Sequence, residues 1–255
     1  MGCINKYFKK GYIPIIDLKS FPNVLNGNNL KDNLWELFFE QPFGYTLDEV
    51  LIKAENIDYI RCEKSKPRPD DDIFNKPKII NFWHNFAYRF MPIKRNLINL
   101  SFKIMYKLFN NSTNILGVLV RGTDYISIKP KSHPIQPKID NVISDVKKFE
   151  LNNNYDWIFF TTEDEIIRKK FISEFTNKVK QLNSFKINYN YSSTDHLNFD
   201  KNIYGNFKFN KQYLLNIIIL SKCLDLIASR CSGTAGILVL TKGFRYMKIY
   251  DLGKY

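Results

Sequence analysis

A chain of 255 residues with 44% hydrophobic and 25% charged side chains can bury a sizeable core, as one large domain or two modest ones. The formal charge of +13 suits an anionic partner, but the lysines are scattered among Asn and Ile, and RGG, RNP and zinc-finger patterns are absent, which sets specific nucleic-acid binding aside. No apolar run approaches the ~20 residues that span a bilayer, and the start MGCINKYFKK lacks the apolar stretch of a secretory signal. A cytoplasmic location is expected, with peripheral contact to the inner membrane face through the basic surface. Cys3, Cys62, Cys223 and Cys231 show no CxxC spacing and are expected as free thiols.

In chain order, Gly11 ends a helix over the first ten residues, and 12–17 (YIPIID) reads as a short strand. Residues 29–39 form an aromatic-rich helix or turn, and Thr46 is the N-cap of a helix that begins at Leu47. A strand is expected over 56–61, Pro67 and Pro69 mark a loop, and Pro92 opens a long helix through Phe109. The polar cluster over 110–114 (NNSTN) divides the chain into regions 1–112 and 113–255. Beyond it, strands over 115–120, 157–160, 179–187, 224–228 and 246–250 alternate with helices over 140–151, to Phe175, 210–223 and 234–241. Such alternation predicts a mostly parallel α/β sheet covered on both faces, with ligands at the C-terminal strand ends.

Three of those ends carry chemistry. Val120 is followed by Arg121-Gly122-Thr123-Asp124: a guanidinium grips phosphate bidentately, glycine lets the backbone approach closely, and Asp124 could orient the arginine. Phe160 is followed by Thr161-Thr162-Glu163-Asp164, in which Thr162 suits an N-cap and the two acids suit a helix dipole. Ala228 is followed by Ser229-Arg230-Cys231-Ser232-Gly233-Thr234, where small residues opening a helix make an anion site without the P-loop spacing. His133 follows the Arg121 segment in a loop, and histidine can accept a proton near neutral pH. The Asp70-Asp71-Asp72 run lies in a Pro-flanked loop rather than after a strand, so no metal site is expected.

Taken together, these segments resemble the fucosyltransferase superfamily, which includes α-1,6-, α-1,2- and protein O-fucosyltransferases. Leu116 to Asp124 is similar to its His-x-Arg-Arg-x-Asp stretch, Ile158 to Asp164 to its strand ending in Thr-Asp-Asp, and Leu220 to Asp225 with Ser232-Gly233-Thr234 to its third motif. The resemblance implies a GT-B architecture of two Rossmann-like domains, the N-terminal one (1–112) acceptor-side and incomplete and the C-terminal one (113–255) binding the nucleotide sugar. It further implies an inverting, metal-independent transfer of fucose or a similar sugar from a GDP-sugar to a glycan or glycolipid in polysaccharide biosynthesis, with no cofactor beyond the donor. Arg121 would hold the diphosphate with Ser232 assisting, Asp225 would read the base and Asp164 would contact the nucleoside, with Gly122, Glu163, Gly233 and Thr234 also in the donor site. Arg121, Asp124 and His133 are the catalytic candidates. Two departures stand out: Leu119 replaces the family's His, and Gly122 its second Arg. A catalytically silent nucleotide-sugar-binding protein is the alternative.

Overall fold

The computed structural model describes residues 1–19, 33–60, 73–74, 76–182 and 207–255. By Cα proximity the chain divides into two units, one of Met1–Leu100 with residues up to Lys211 at the start of a later helix, the other of the remainder. The division falls inside a helix ahead of the 110–114 cluster.

In the first unit, α1 (Gly2–Phe8), α2 (Leu34–Phe38), α3 (Leu47–Lys53) and α4 (Pro77–Phe90) lead into α5 (Arg95–Phe109), which continues into the second unit. α3 starts where the sequence places it: Thr46 Oγ1 accepts from the Glu49 N–H while the Glu49 carboxylate accepts from the Thr46 N–H, so two first-turn donors are satisfied reciprocally. The expected strand over 12–17 joins no ladder. Within it, Ile16 is held by side-chain amides instead: Gln41 pairs with both its N–H and its carbonyl, and Asn33 donates to the same carbonyl. Residues 56–60 likewise join no ladder, and Arg61, 29–32 and the 70–72 acidic run lie outside the described residues.

Pro92 stands before α5 rather than opening it. Phe39 and Ile93 form an isolated antiparallel bridge, with Glu40 donating to Pro92 O and Lys94 to Phe38 O, and this pairing holds the residues around Pro92 extended. α4 is absent from the sequence reading, although Trp83, Phe86, Ala87 and Phe90 repeat at helical spacing and are all buried, behind a proline in the first turn.

The second unit is built on five strands: β1 (Ile115–Leu119), β2 (Trp157–Thr161), β3 (Val179–Lys180), β4 (Asp225–Ser229) and β5 (Met247–Tyr250). They pair parallel throughout in the order β3-β2-β1-β4-β5. Between them run α6 (Thr123–Ser127), α7 (Ile139–Asn153), α8 (Glu165–Glu174), α9 (Phe207–Leu220) and α10 (Ser232–Leu240). The α/β reading thus holds, with the four long strands within a residue or so of their expected limits; of the expected strand over 179–187, residues 183–187 lie outside the described residues.

β1 shows why its run is apolar throughout. Leu116, Val118 and Val120 pack with Val142, Val146 and Phe171 on one face, while Ile115 and Leu119 pack with Ile217, Leu220 and Ile237 on the other. The chain moves outward from β1 to β3, then returns to place β4 on the other side of β1. The carboxyl ends of β1 and β4 therefore flank the point where strand order reverses, the usual crevice for a ligand in such sheets.

Cys223 and Cys231 are free and buried. Cys3 is disulfide-bonded, which corrects the expectation of a free thiol there: spacing along the chain does not measure the spatial proximity a disulfide needs. Among the described residues no helix is long and apolar enough to cross a membrane.

Candidate functional site

The ends of β1, β2 and β4 are tied together by side chains. The Arg121 N–H donates to Ser229 Oγ at 3.1 Å, linking β1 to β4 where the order reverses. The Gly122 N–H donates to Glu163 Oε1 at 2.8 Å, linking β1 to β2. The same oxygen lies 3.4 Å from Arg121 Nε, with the two side chains only 20% and 12% exposed. The guanidinium also stacks 5.0 Å from the centre of the Tyr125 ring. Glu163 and Tyr125 therefore orient Arg121 at the rim of the sheet.

Beside it opens α10. Its N-cap, Cys231, makes no side-chain capping bond, and no acid stands in the first turn. The first-turn N–H groups and the positive end of the dipole thus meet no capping carboxylate, an arrangement that favours an anion. Burial raises the pKa of the Cys231 thiol, with Thr234 and the nearby Arg121 opposing, so a neutral thiol stands at this position.

The structure brings together Arg121, Gly122, Glu163, Ser232 and Gly233. Ser232 is exposed at the start of α10, and Gly122 and Gly233 are buried. Both glycines are demanded by close approach: a Cβ on Gly122 would lie 2.5 Å from Asp164 Cβ, and one on Gly233 would lie 2.6 Å from Tyr213 Oη. Asp164 caps α8, its Oδ1 accepting from the N–H groups of Ile166 and Ile167, so the cap expected at Thr162 falls two residues later. His133 is exposed, with its ring edge-to-face on Tyr125 at 5.5 Å, so Arg121, Tyr125 and His133 form a row. Asp124 lies in α6, and its side chain falls outside the described residues.

Three expectations need correction. Asp225 does not face this rim. It begins β4 in register with Leu116, at the opposite edge of the sheet, fully buried beneath donors from Tyr155, Arg245 and the Tyr246 N–H. A carboxylate so engaged holds the fold and is not placed to read a base. The Thr234 hydroxyl donates to Ser229 O at 2.5 Å and is fully buried, so it closes the turn instead of meeting a ligand. Arg230, which has no evident partner in the sequence, pairs with Asp251.

Sequence reasoning missed Ser229, Tyr125 and Tyr213. Tyr125 follows Arg121 by four residues, a spacing that could have been noticed. Tyr213 stands at the head of an apolar stretch and reads as core, yet its hydroxyl lies over Gly233. Among the described residues, no group of three or more His, Cys, Asp or Glu side chains is placed to hold a metal.

No family model matches the sequence, and no curated protein matches it. Solved structures do. NodZ α-1,6-fucosyltransferase co-crystallised with GDP is similar at a TM-score of 0.54 and 12% identity, covering 94% of this chain and 84% of that one. The fucosyltransferase NodZ from Bradyrhizobium gives 0.54 and 12%, covering 94% and 85%. POFUT1 in complex with GDP-fucose gives 0.44 and 7%, covering 69% of this chain, a score too low to establish a common fold; the chain spans about half (50%) of that structure's length. At these identities the likeness is one of fold: a mixed α/β chain with a five-stranded parallel sheet, similar to the GT-B fold of those structures.

Proposed function

We propose that this chain is a glycosyltransferase that moves fucose, or a similar sugar, from a GDP-sugar to a glycan or glycolipid, with inversion and without a metal ion. The observation that carries the reading is the pairing of an oriented Arg121 with the uncapped start of α10 at the reversal between β1 and β4. A departing diphosphate needs positive charge fixed in advance, and a guanidinium with helix N–H groups supplies it where a metal would otherwise serve. The fold likeness to NodZ, which was solved with GDP, supports a nucleotide diphosphate as the anion.

In the transfer, the acceptor hydroxyl oxygen bonds to the anomeric carbon as the bond from that carbon to the β-phosphate oxygen breaks. The electron pair leaves on GDP, which Arg121 and the α10 N-terminus stabilise. The hydroxyl proton passes to a base, for which His133, in line with Tyr125 and Arg121, is the candidate.

The second reading, binding without transfer, uses the same anion contacts and dispenses with a proton acceptor; one observation favours it, that the candidate base His133 is exposed. Incubation with GDP-fucose and candidate glycans, following GDP release with and without EDTA, separates the two. Acceptor-dependent, EDTA-insensitive release is expected for the transferase. Tight GDP binding with no release on any acceptor supports the silent protein, and release that requires added Mn²⁺ contradicts the metal-free reading.

A further inference from the structure

We infer that Tyr213 is a binding residue of this site, its hydroxyl donating a hydrogen bond to the phosphate that docks at the start of α10. The inference rests on the reading of the site as one for a diphosphate.

Position comes first. Tyr213 shares a face of α9 with Ile217 and Leu220, which are buried against the sheet, whereas Tyr213 itself is 38% exposed. Seven residues of helix before Leu220 raise it roughly 10 Å along the axis. Since α9 leads down to the start of β4, that rise carries Tyr213 toward the carboxyl ends of the strands. The hydroxyl arrives over the second residue of α10: the side chain a Cβ on Gly233 would meet first is Tyr213 Oη, at 2.6 Å, ahead of Ile217 and Leu119 at 3.4 Å. Gly233 is glycine because the phenol fills that space.

Chemistry comes second. Two buried tyrosines of this unit hand their hydroxyl proton to a carboxylate, Tyr155 to Asp225 and Tyr250 to Asp145. Among the described residues the Tyr213 hydroxyl has no such acceptor. It stands instead within electrostatic reach of Cys231, Arg121, Glu163 and Tyr125, the groups that form the rim. Desolvation around the hydroxyl raises the phenol pKa from its ordinary value, so the group keeps its proton at working pH and acts as a donor, not as a base. A neutral donor beside a guanidinium and a helix N-terminus adds a directed contact to phosphate without adding charge.

Calorimetric titration with GDP and with inorganic pyrophosphate tests the inference. Tyr213→Phe keeps the ring and removes the hydroxyl; it should weaken both ligands by the same factor, at least about tenfold, with the unliganded thermal midpoint kept. Gly233→Ala, which drives a methyl into the hydroxyl, should weaken both as well, and by less once Tyr213→Phe is already present. Wild-type affinity in Tyr213→Phe overturns the inference, as does a loss confined to GDP with pyrophosphate unaffected, which would put the hydroxyl elsewhere on the nucleotide. Should Tyr213→Phe fail to fold, Gly233→Ala decides alone, and wild-type affinity there overturns it. Wild-type protein that binds pyrophosphate but not GDP would sink the nucleotide reading and leave Tyr213 to be judged on pyrophosphate; binding of neither removes both.

Discussion

Replacing Arg121 by alanine should weaken GDP binding by about 30-fold to 700-fold while leaving the fold intact. A charge-assisted hydrogen bond contributes about 1.5–3 kcal/mol, and a bidentate grip makes two. Arg121 is 20% exposed, so solvent screening trims that sum, and about 2–4 kcal/mol is a reasonable expectation, at 1.4 kcal/mol per decade. The structure adds a reason to favour the upper half. Glu163, only 12% exposed, now faces the guanidinium; without it, the carboxylate would face the incoming phosphate. Arg121→Lys should recover part of the loss, since a point charge cannot reproduce the fork. Adding Glu163→Gln to Arg121→Ala should recover part as well, by removing the repulsion. Arg230→Ala, whose cation is held by Asp251, should cost less than Arg121→Ala. Calorimetric titration with circular dichroism on each variant measures this. Wild-type affinity in Arg121→Ala would refute the phosphate-anchor assignment and remove the main support of the proposed function.

Gly122→Ala should both destabilise, by about 1–3 kcal/mol for an overpacked contact, and weaken GDP binding, because the new methyl meets Asp164 Cβ at 2.5 Å and must displace the backbone beside Arg121; chemical denaturation and titration of the same sample check both. Asp225→Ala should lower stability by about 1–3 kcal/mol through the stranded Tyr155 hydroxyl, yet leave GDP affinity unchanged; a selective loss of GDP binding would restore Asp225 to the site. Burial would raise the Asp145 pKa, but hydrogen bonds from Lys248 and Tyr250 outweigh it and hold the carboxyl below its ordinary value. The stability this contributes is present above the unfolded value of about 3.9 and is lost as pH falls through the lower folded value, so Asp145→Asn should destabilise at pH 7 and flatten that acid limb in pH-dependent denaturation.

The sheet was legible because its strands are buried on both faces: runs such as ILGVL and WIFFT need no alternation and leave little else to read. That Arg121, Gly122, Glu163, Ser232 and Gly233 lie at one edge of the sheet was legible because each comes within a few residues after such a run. Asp225 was misread for a physical reason. It too touches an apolar run, but at its amino end, and in a parallel sheet the two ends of a strand lie on opposite edges. The pairings Arg121–Glu163, Arg230–Asp251 and Asp225–Arg245 join segments that only the strand order brings together. Tyr213 was hidden by its neighbours, since a tyrosine at helical spacing from Ile217 and Leu220 reads as core until the close approach to Gly233 is seen. The 12–17 segment has a strand's composition, but at Ile16 the hydrogen bonds are made by the Gln41 and Asn33 side chains.

The most direct test of the account is the thermal midpoint of the wild-type protein titrated with GDP, UDP, CDP and inorganic phosphate. A ligand that binds the folded state raises the midpoint by mass action, by about 2.7 kcal/mol of stability at a hundred times its dissociation constant. A saturable rise with GDP, exceeding that with phosphate and abolished by Arg121→Ala, is the predicted result. A midpoint that none of the three nucleotides moves at millimolar concentration would contradict the account.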